Sequence, residues 1–169
     1  MTPKLKLFLG ALLVSLPIDL ATKEWVIRSI HYGGEIPVIP GFFSLTHVRN
    51  PGAAFGILAS SPQGVRIFFF IGVAIFAMGL IVSFYRNLAP GDRFSALSLG
   101  LILGGAVGNL IDRVRHGEVV DFLHFRLWGV YTWPDFNFAD SFIVVGVILL
   151  VIELLATEGE SRAEAHAEP

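Results

Sequence analysis

Residues 67–85 read IFFFIGVAIFAMGLIVSFY, an uninterrupted apolar run without a single charge. A helix needs roughly 20 mostly apolar residues to cross a hydrocarbon core about 30 Å thick. This run meets that length, and no soluble fold exposes or buries such a stretch cheaply. The rest of the chain agrees: 54% of its 169 residues are hydrophobic and only 15% are charged, against about a quarter charged in a soluble domain. Residues 94–111 form a second candidate, softened by Gly, Ser and one Asn.

Two further uncharged runs, 7–18 and 141–152, contain 12 residues each. At helical rise each covers about 18 Å, which is too short to span. Each reaches full length only by taking in polar neighbours, Asp19 and Lys23 in the first, Asn137 and Asp140 in the last. The pattern therefore predicts an α-helical integral membrane protein with four transmembrane helices near 5–27, 66–86, 94–114 and 136–156. KLKLFLGALLVSLP at the N-terminus also resembles the basic and apolar regions of a signal peptide. Against that, no small-residue cleavage site follows, and apolar character resumes through Trp25–Ile27.

Four spans place both termini on one side. Lys4, Lys6, Arg86 and Arg93 favour a cytoplasmic assignment for that side. The other side carries Arg28, Arg49, Arg66, Arg113, Arg115 and Arg126, so the charge count alone does not orient the chain. Trp25, Trp128 and Trp133 lie on this second side, as an interfacial girdle would. Residues 28–65 mix prolines, glycines and β-branched residues and read as a β-rich cradle. Residues 115–135 read equally as a short strand or an interfacial helix. From Thr157 the chain is acidic and alanine-rich, which suggests a disordered tail over 157–169.

The net charge of −2, without a basic patch, gives no nucleic-acid signal. The chain has no cysteine, so disulfides, thiolate nucleophiles and Cys-ligated metals are excluded. His47, His116 and His124 show no metal-ligand spacing.

Ionisable residues within spans are functional candidates by default, and here they gather toward one membrane face. Asp19, Lys23 and Glu24 end the first span; Asn109, Asp112 and Arg113 end the third; Asn137 and Asp140 begin the fourth; Asn50 and Asp121 lie in the loops between. Asn109, Asp112 and Arg113 share one helix face by their spacing. Gly100, Gly104 and Gly108 form a row that admits a close neighbouring helix. Bland readings exist for each residue: Asn137 and Asp140 as helix caps, Asp19 and Lys23 as an intrahelical pair, Arg113 and Arg115 as headgroup anchors, Asn50 as a turn former.

Two close carboxylates in a water-poor place cannot both ionise cheaply and share a proton. The ionised one accepts a proton from water while the other donates to a carbonyl oxygen, which is peptide hydrolysis without a covalent intermediate. Asp19, Asp112, Asp121, Asp135 and Asp140 are the candidates. Asp112 adjoins Arg113, which favours its ionised form. The apolar neighbours of Asp121 and Asp140 favour that pair without excluding the others. A transporter or ion-conducting protein could line a path with the same residues, although its charges belong nearer the midplane. A Mg²⁺ or Ca²⁺ enzyme could use the same oxygens.

Taken together, DLATK (19–23), NPGAAF (50–55), GGAVGNLIDR (104–113), VVDF (119–122) and FNFAD (136–140) occur in an order that resembles the bacterial lipoprotein signal peptidase (signal peptidase II) family. The resemblance covers about residues 5–156. It implies an inner-membrane aspartic endopeptidase with cytoplasmic termini, an extracytoplasmic cradle and an active site near the extracytoplasmic face. The implied substrate is a diacylglyceryl-modified prolipoprotein, cut before the lipidated cysteine. Asp121 and Asp140 match the catalytic pair. Asp19, Lys23, Asn50, Gly52, Asn109, Asp112, Arg113, Asn137 and Ala139 match supporting or substrate-binding positions. Globomycin-type cyclic peptides would occupy the same pocket. No cofactor and no metal is expected; the expected partners are the prolipoprotein substrate, membrane lipids and the inhibitory peptides, with no nucleic acid, and a monomer suffices for the mechanism. Leu20 departs from the glutamine usual after the first aspartate.

Overall fold

The computed structural model describes residues 1–52, 61–127, 129 and 131–167. Its elements are α1 (Pro3–Ser29), β1 (Glu35–Ile39), β2 (Phe43–Asn50), α2 (Gln63–Asn87), α3 (Arg93–His116), β3 (Val119–Leu127), β4 (Tyr131–Phe136) and α4 (Phe138–Ala167). All four helices contain stretches long and apolar enough to cross a membrane. Thr2 Oγ1 accepts from the backbone N–H of Leu5 at 3.3 Å and starts α1, with Pro3 in the first turn. Gly117, at φ 75°, ends α3 in the left-handed conformation that favours glycine.

The centre of the molecule is α3. It packs along α1 on one flank and α4 on the other, and less extensively on α2. The glycine row explains the close approach. A methyl group on Gly100 would strike the Phe8 carbonyl oxygen, one on Gly104 the Ser15 hydroxyl, and one on Gly108 the Asp19 carboxylate. Gly105, one position off the row, faces α4: a methyl there would meet the Ala139 carbonyl oxygen and lie 2.9 Å from Ile143 Cγ1. Over half (56%) of the apolar window of α3 is buried, against 6% in α2. The phenylalanines of α2, such as Phe68 and Phe76, face outward to the space that lipid would fill.

The sheet is antiparallel, in the order β1-β2-β3-β4. It joins the two loops that the sequence treats separately, so the cradle is not confined to 28–65. Of the two readings of 115–135, the strand is the one observed. Val119, Val120, Asp121 and Phe122 are all buried. Both faces of β3 are covered at this point, with Val120 and Phe122 packed in one cluster with Val26 of α1 and Ile30 just after it. That double burial removes the alternation that marks a half-buried strand. Residues 53–60 of the cradle, including Ala53–Phe55, and Trp128 lie outside the described residues. Trp25 and Trp133 are exposed, as interface residues would be.

Two boundaries differ from expectation. The last helix begins at Phe138, leaving Asn137 just outside it, and it continues to Ala167 through the stretch expected to be a disordered tail. Alanine and glutamate are strong helix formers, so an established helix propagates through them despite their charge.

A methyl at Gly105 must displace backbone. Gly105→Ala is therefore expected to lower stability by about 1–3 kcal/mol. Gly72→Ala, whose methyl meets nothing, should be neutral or stabilising. Thermal unfolding of the two variants in detergent checks this.

Candidate active site

Lys23 is 2% exposed and lies deep in the helix bundle. Its ammonium sits 2.8 Å from Asp19 Oδ2 and 3.1 Å from Asp112 Oδ2, and it donates to Asn109 Oδ1 at 2.9 Å. The intrahelical pair expected of Asp19 and Lys23 is present, but it belongs to a larger cluster across α1 and α3. Asp112 is neutralised by Lys23 rather than by its neighbour Arg113. Each carboxylate also reaches beyond its own helix. Asp19 Oδ1 accepts the backbone N–H of Ala139 at 2.8 Å, and Asp112 Oδ2 accepts that of Val120 at 3.1 Å. One buried cation thus ties the start of α4 and the start of β3 to the bundle.

Asn137 occupies the junction between β4 and α4. Its Oδ1 accepts the backbone N–H of Asp140 at 3.0 Å, while Asp140 Oδ2 accepts the backbone N–H of Asn137 at 3.3 Å. This reciprocal pair is a capping box built from Asn and Asp. The capping reading of both residues is correct, and it leaves the rest of each side chain available. Asn137 Nδ2 donates to Asp121 Oδ1 at 2.7 Å and lies 3.3 Å from the Val120 carbonyl oxygen and from Asn109 Oδ1. Asn50 Nδ2 donates to Asp121 Oδ2 at 2.9 Å, and the Gly52 N–H in turn fixes Asn50 Oδ1 at 2.9 Å. Gly52 has φ 86°, a conformation that suits glycine. Asn109 Nδ2 donates to Asp140 Oδ1 at 2.8 Å.

Among the described residues, the donors to Asp121 and Asp140 are therefore amides, and one amide side chain, Asn137, touches both residues. Burial pushes the Asp121 carboxyl up to about 7, and the charge of Asp140 adds to the shift. The donors from Asn50 and Asn137 and the more remote Lys23 pull it back, but desolvation is the larger effect.

Two hollows open on the pair. One, of about 500 Å³, is lined by Trp133, Phe136, Asp140, Ser141, Val144 and Val145. The other, of about 360 Å³, is lined by Val48, Arg49, Asn50, Pro51, Asp121, Pro134 and Asp135. The first is apolar and runs along α4; the second opens beside the sheet.

Every supporting residue expected from the sequence lies in or against this network. Arg113 donates to the Asn109 carbonyl oxygen at 3.2 Å, and its guanidinium sits over the Phe70 ring at 5.4 Å. Of the five candidate carboxylates only Asp135 stands apart: it accepts from Thr46 Oγ1 at 2.9 Å and lies 2.6 Å from His124 Nδ1. Thr46 and His124 carried no signal in the sequence, because sheet pairing is what brings them to Asp135. Among the described residues no three His, Asp or Glu side chains are arranged to hold a metal ion.

Residues 11–156 match the family model described as Signal peptidase (SPase) II. The chain belongs to the signal peptidase II family. Lipoprotein signal peptidases of Geobacter metallireducens and Geobacter sulfurreducens are 48% and 46% identical to it, with alignments that cover 94% of this chain and 96% and 97% of theirs. A bacterial membrane enzyme solved by the in meso method superposes with a TM-score of 0.78 at 36% identity, covering 88% of this chain and 92% of that one. A second such structure gives 0.79 at 35% identity, covering 90% of each chain. Membership in the signal peptidase II family makes this an aspartic-type peptidase of a bacterial membrane, and the ion-conducting alternative is not favoured.

Removing the cation while keeping the side-chain volume tests the network. Lys23→Met leaves Asp19 and Asp112 buried without their partner and is expected to cost about 3–5 kcal/mol, read as a large drop in thermal stability in detergent.

Proposed function

We propose that the chain removes the signal peptide from diacylglyceryl-modified prolipoproteins, cutting before the lipidated cysteine with a water activated between Asp121 and Asp140. The observation that carries this reading is the Asn137 side chain, which bonds Asp121 at 2.7 Å through Nδ2 and the Asp140 backbone at 3.0 Å through Oδ1.

Asp121, pushed up to about 7 by burial, holds the shared proton in the resting site. Asp140 is then the base. It takes a proton from water as the oxygen attacks the scissile carbonyl carbon, while Asp121 donates to the carbonyl oxygen. The tetrahedral intermediate collapses when the proton held by Asp140 passes to the leaving nitrogen and the oxygen-bound proton returns to Asp121. No metal or covalent adduct enters the sequence, and the low local dielectric strengthens each charge interaction.

The hollows match the two sides of such a substrate. Val144 and Val145 extend the first one along α4, where acyl chains and the apolar signal helix would lie. The outward face of α2, with α3 and α4, would complete the groove, and the sheet would clamp the lipidated segment from outside. In this arrangement both termini are cytoplasmic and the dyad sits near the extracytoplasmic face of the inner membrane. Globomycin-type peptides would compete for the same groove. All the groups come from one chain, so a monomer suffices.

Cleavage of a diacylglyceryl-modified prolipoprotein in detergent tests the assignment. Asp121→Asn and Asp140→Asn are each expected to lose at least about a hundredfold in rate, and near-native activity in either would remove the dyad. The pH profile is a separate test. As the pH rises through about 7, Asp121 loses the proton it must donate, so kcat/KM should fall on the alkaline side with an apparent pKa near that value. A profile flat well above it would contradict the role given to Asp121.

A further inference from the structure

The hollow beside the sheet contains a carboxylate for which the hydrolysis has no use. Asp135 lines the same space as Asp121 and Asn50. Its side chain is 15% exposed, and both oxygens are held, Oδ2 by the Thr46 hydroxyl at 2.9 Å and Oδ1 by His124 Nδ1 at 2.6 Å. Thr46 itself is buried. The three residues come from β2, β3 and β4, so the sheet fixes where Asp135 points. A carboxylate has about four acceptor positions; two are occupied here, and the remaining capacity borders the hollow.

The charged groups at the second hollow separate the lipophilic parts of the substrate from its polar chain: Arg49, Asp121 and Asp135 border it, whereas Val144 and Val145 border the first. A peptide cut between Asp121 and Asp140 must leave the dyad in both directions. The signal helix before the cut and the acyl chains carried by the cysteine after it are both apolar and fit the space beside Val144 and Val145. The polar chain after the cysteine is left with the space between Arg49, Asp121 and Asp135. An extended chain advances about 3.3 Å per residue, so the residues that reach this hollow are the first few after the cut.

We propose that Asp135 is a specificity-determining residue: it accepts a hydrogen bond from a donor side chain on one of the first residues following the lipidated cysteine. The proposal rests on the peptidase reading above. It makes Thr46 and His124 positioning residues, which act by aiming the Asp135 carboxylate.

Asparagine and leucine have nearly the same shape, are both uncharged, and differ in the amide donor. The test uses synthetic diacylglyceryl-cysteine prolipoprotein peptides in detergent, with Asn or Leu at the first, second or third position after the cysteine. At one of these positions the wild-type protein is expected to prefer Asn over Leu by about tenfold in kcat/KM, the scale of a hydrogen bond to a charged group. Asp135→Ala should bring that ratio close to one by lowering kcat/KM on the Asn peptide toward that on the Leu peptide. Thr46→Val should lower the ratio in part, because Asp135 remains but is held by one bond fewer. A wild-type ratio near one at all three positions overturns the proposal, whatever the variants do. So does a preference that survives Asp135→Ala. Failure of the wild type to cut any of the peptides would instead overturn the peptidase reading, and this inference with it.

Discussion

A lysine ammonium buried at the end of a membrane helix must be neutralised where it stands, because moving it out of water costs several kcal/mol. Lys23 meets that demand with Asp19, Asp112 and Asn109, at 2.8, 3.1 and 2.9 Å. Those three groups belong to α1 and α3, and each makes a second bond that reaches further, to Ala139 of α4, to Val120 of β3 and to Asp140. The cation therefore ties down both elements that carry the proposed pair, β3 with Asp121 and α4 with Asp140. The small faces of α3 make this possible. Without glycine at 108 the Asp19 carboxylate could not lie where it does.

The partners of the carboxylates divide them into two pairs. Asp19 and Asp112 are paired with the ammonium and with backbone N–H groups, a setting that occupies their oxygens. Among the described residues, Asp121 and Asp140 accept from amide side chains and a backbone N–H group, which orient an oxygen without supplying a full positive charge. That difference fits the proton exchange proposed for the second pair, and burial raises Asp121 to about 7. The capping box at Asn137 adds the other requirement, a fixed angle between β4 and α4. Charge at the mouth of the last apolar helix is thus tolerated because it terminates the helix and faces a partner.

The spans were legible because apolar runs of that length have few other uses, and the polar residues that the sequence gathers toward the span ends meet in one network. The glycine row announced a close helix, although which helix it meets became clear only from Phe8, Ser15 and Asp19. Long-range partners were the harder part. Lys23 lies within one turn of Asp19 in sequence, but Asp112 and Asn109 come from another helix, so its true number of partners was hidden. The strand through Asp121 was ambiguous because burial on both faces erased its period of two. Asp135, Thr46 and His124 are brought together by sheet register alone, and no local pattern marks them as a group. The tail misled because acidic, alanine-rich sequence is as compatible with a helix continued from α4 as with disorder.

The central claim is that Asp121 and Asp140 share one proton, and it can be observed without turnover. Infrared difference spectroscopy of the resting protein in detergent, titrated across neutral pH, reports protonated carboxyl groups directly. The account predicts a protonated carboxyl band that persists at slightly acidic pH, disappears with a midpoint near 7, and is absent in Asp121→Asn. A band that has already vanished by pH about 5, close to the ordinary range of an aspartate, or one that is unchanged in Asp121→Asn, would contradict it.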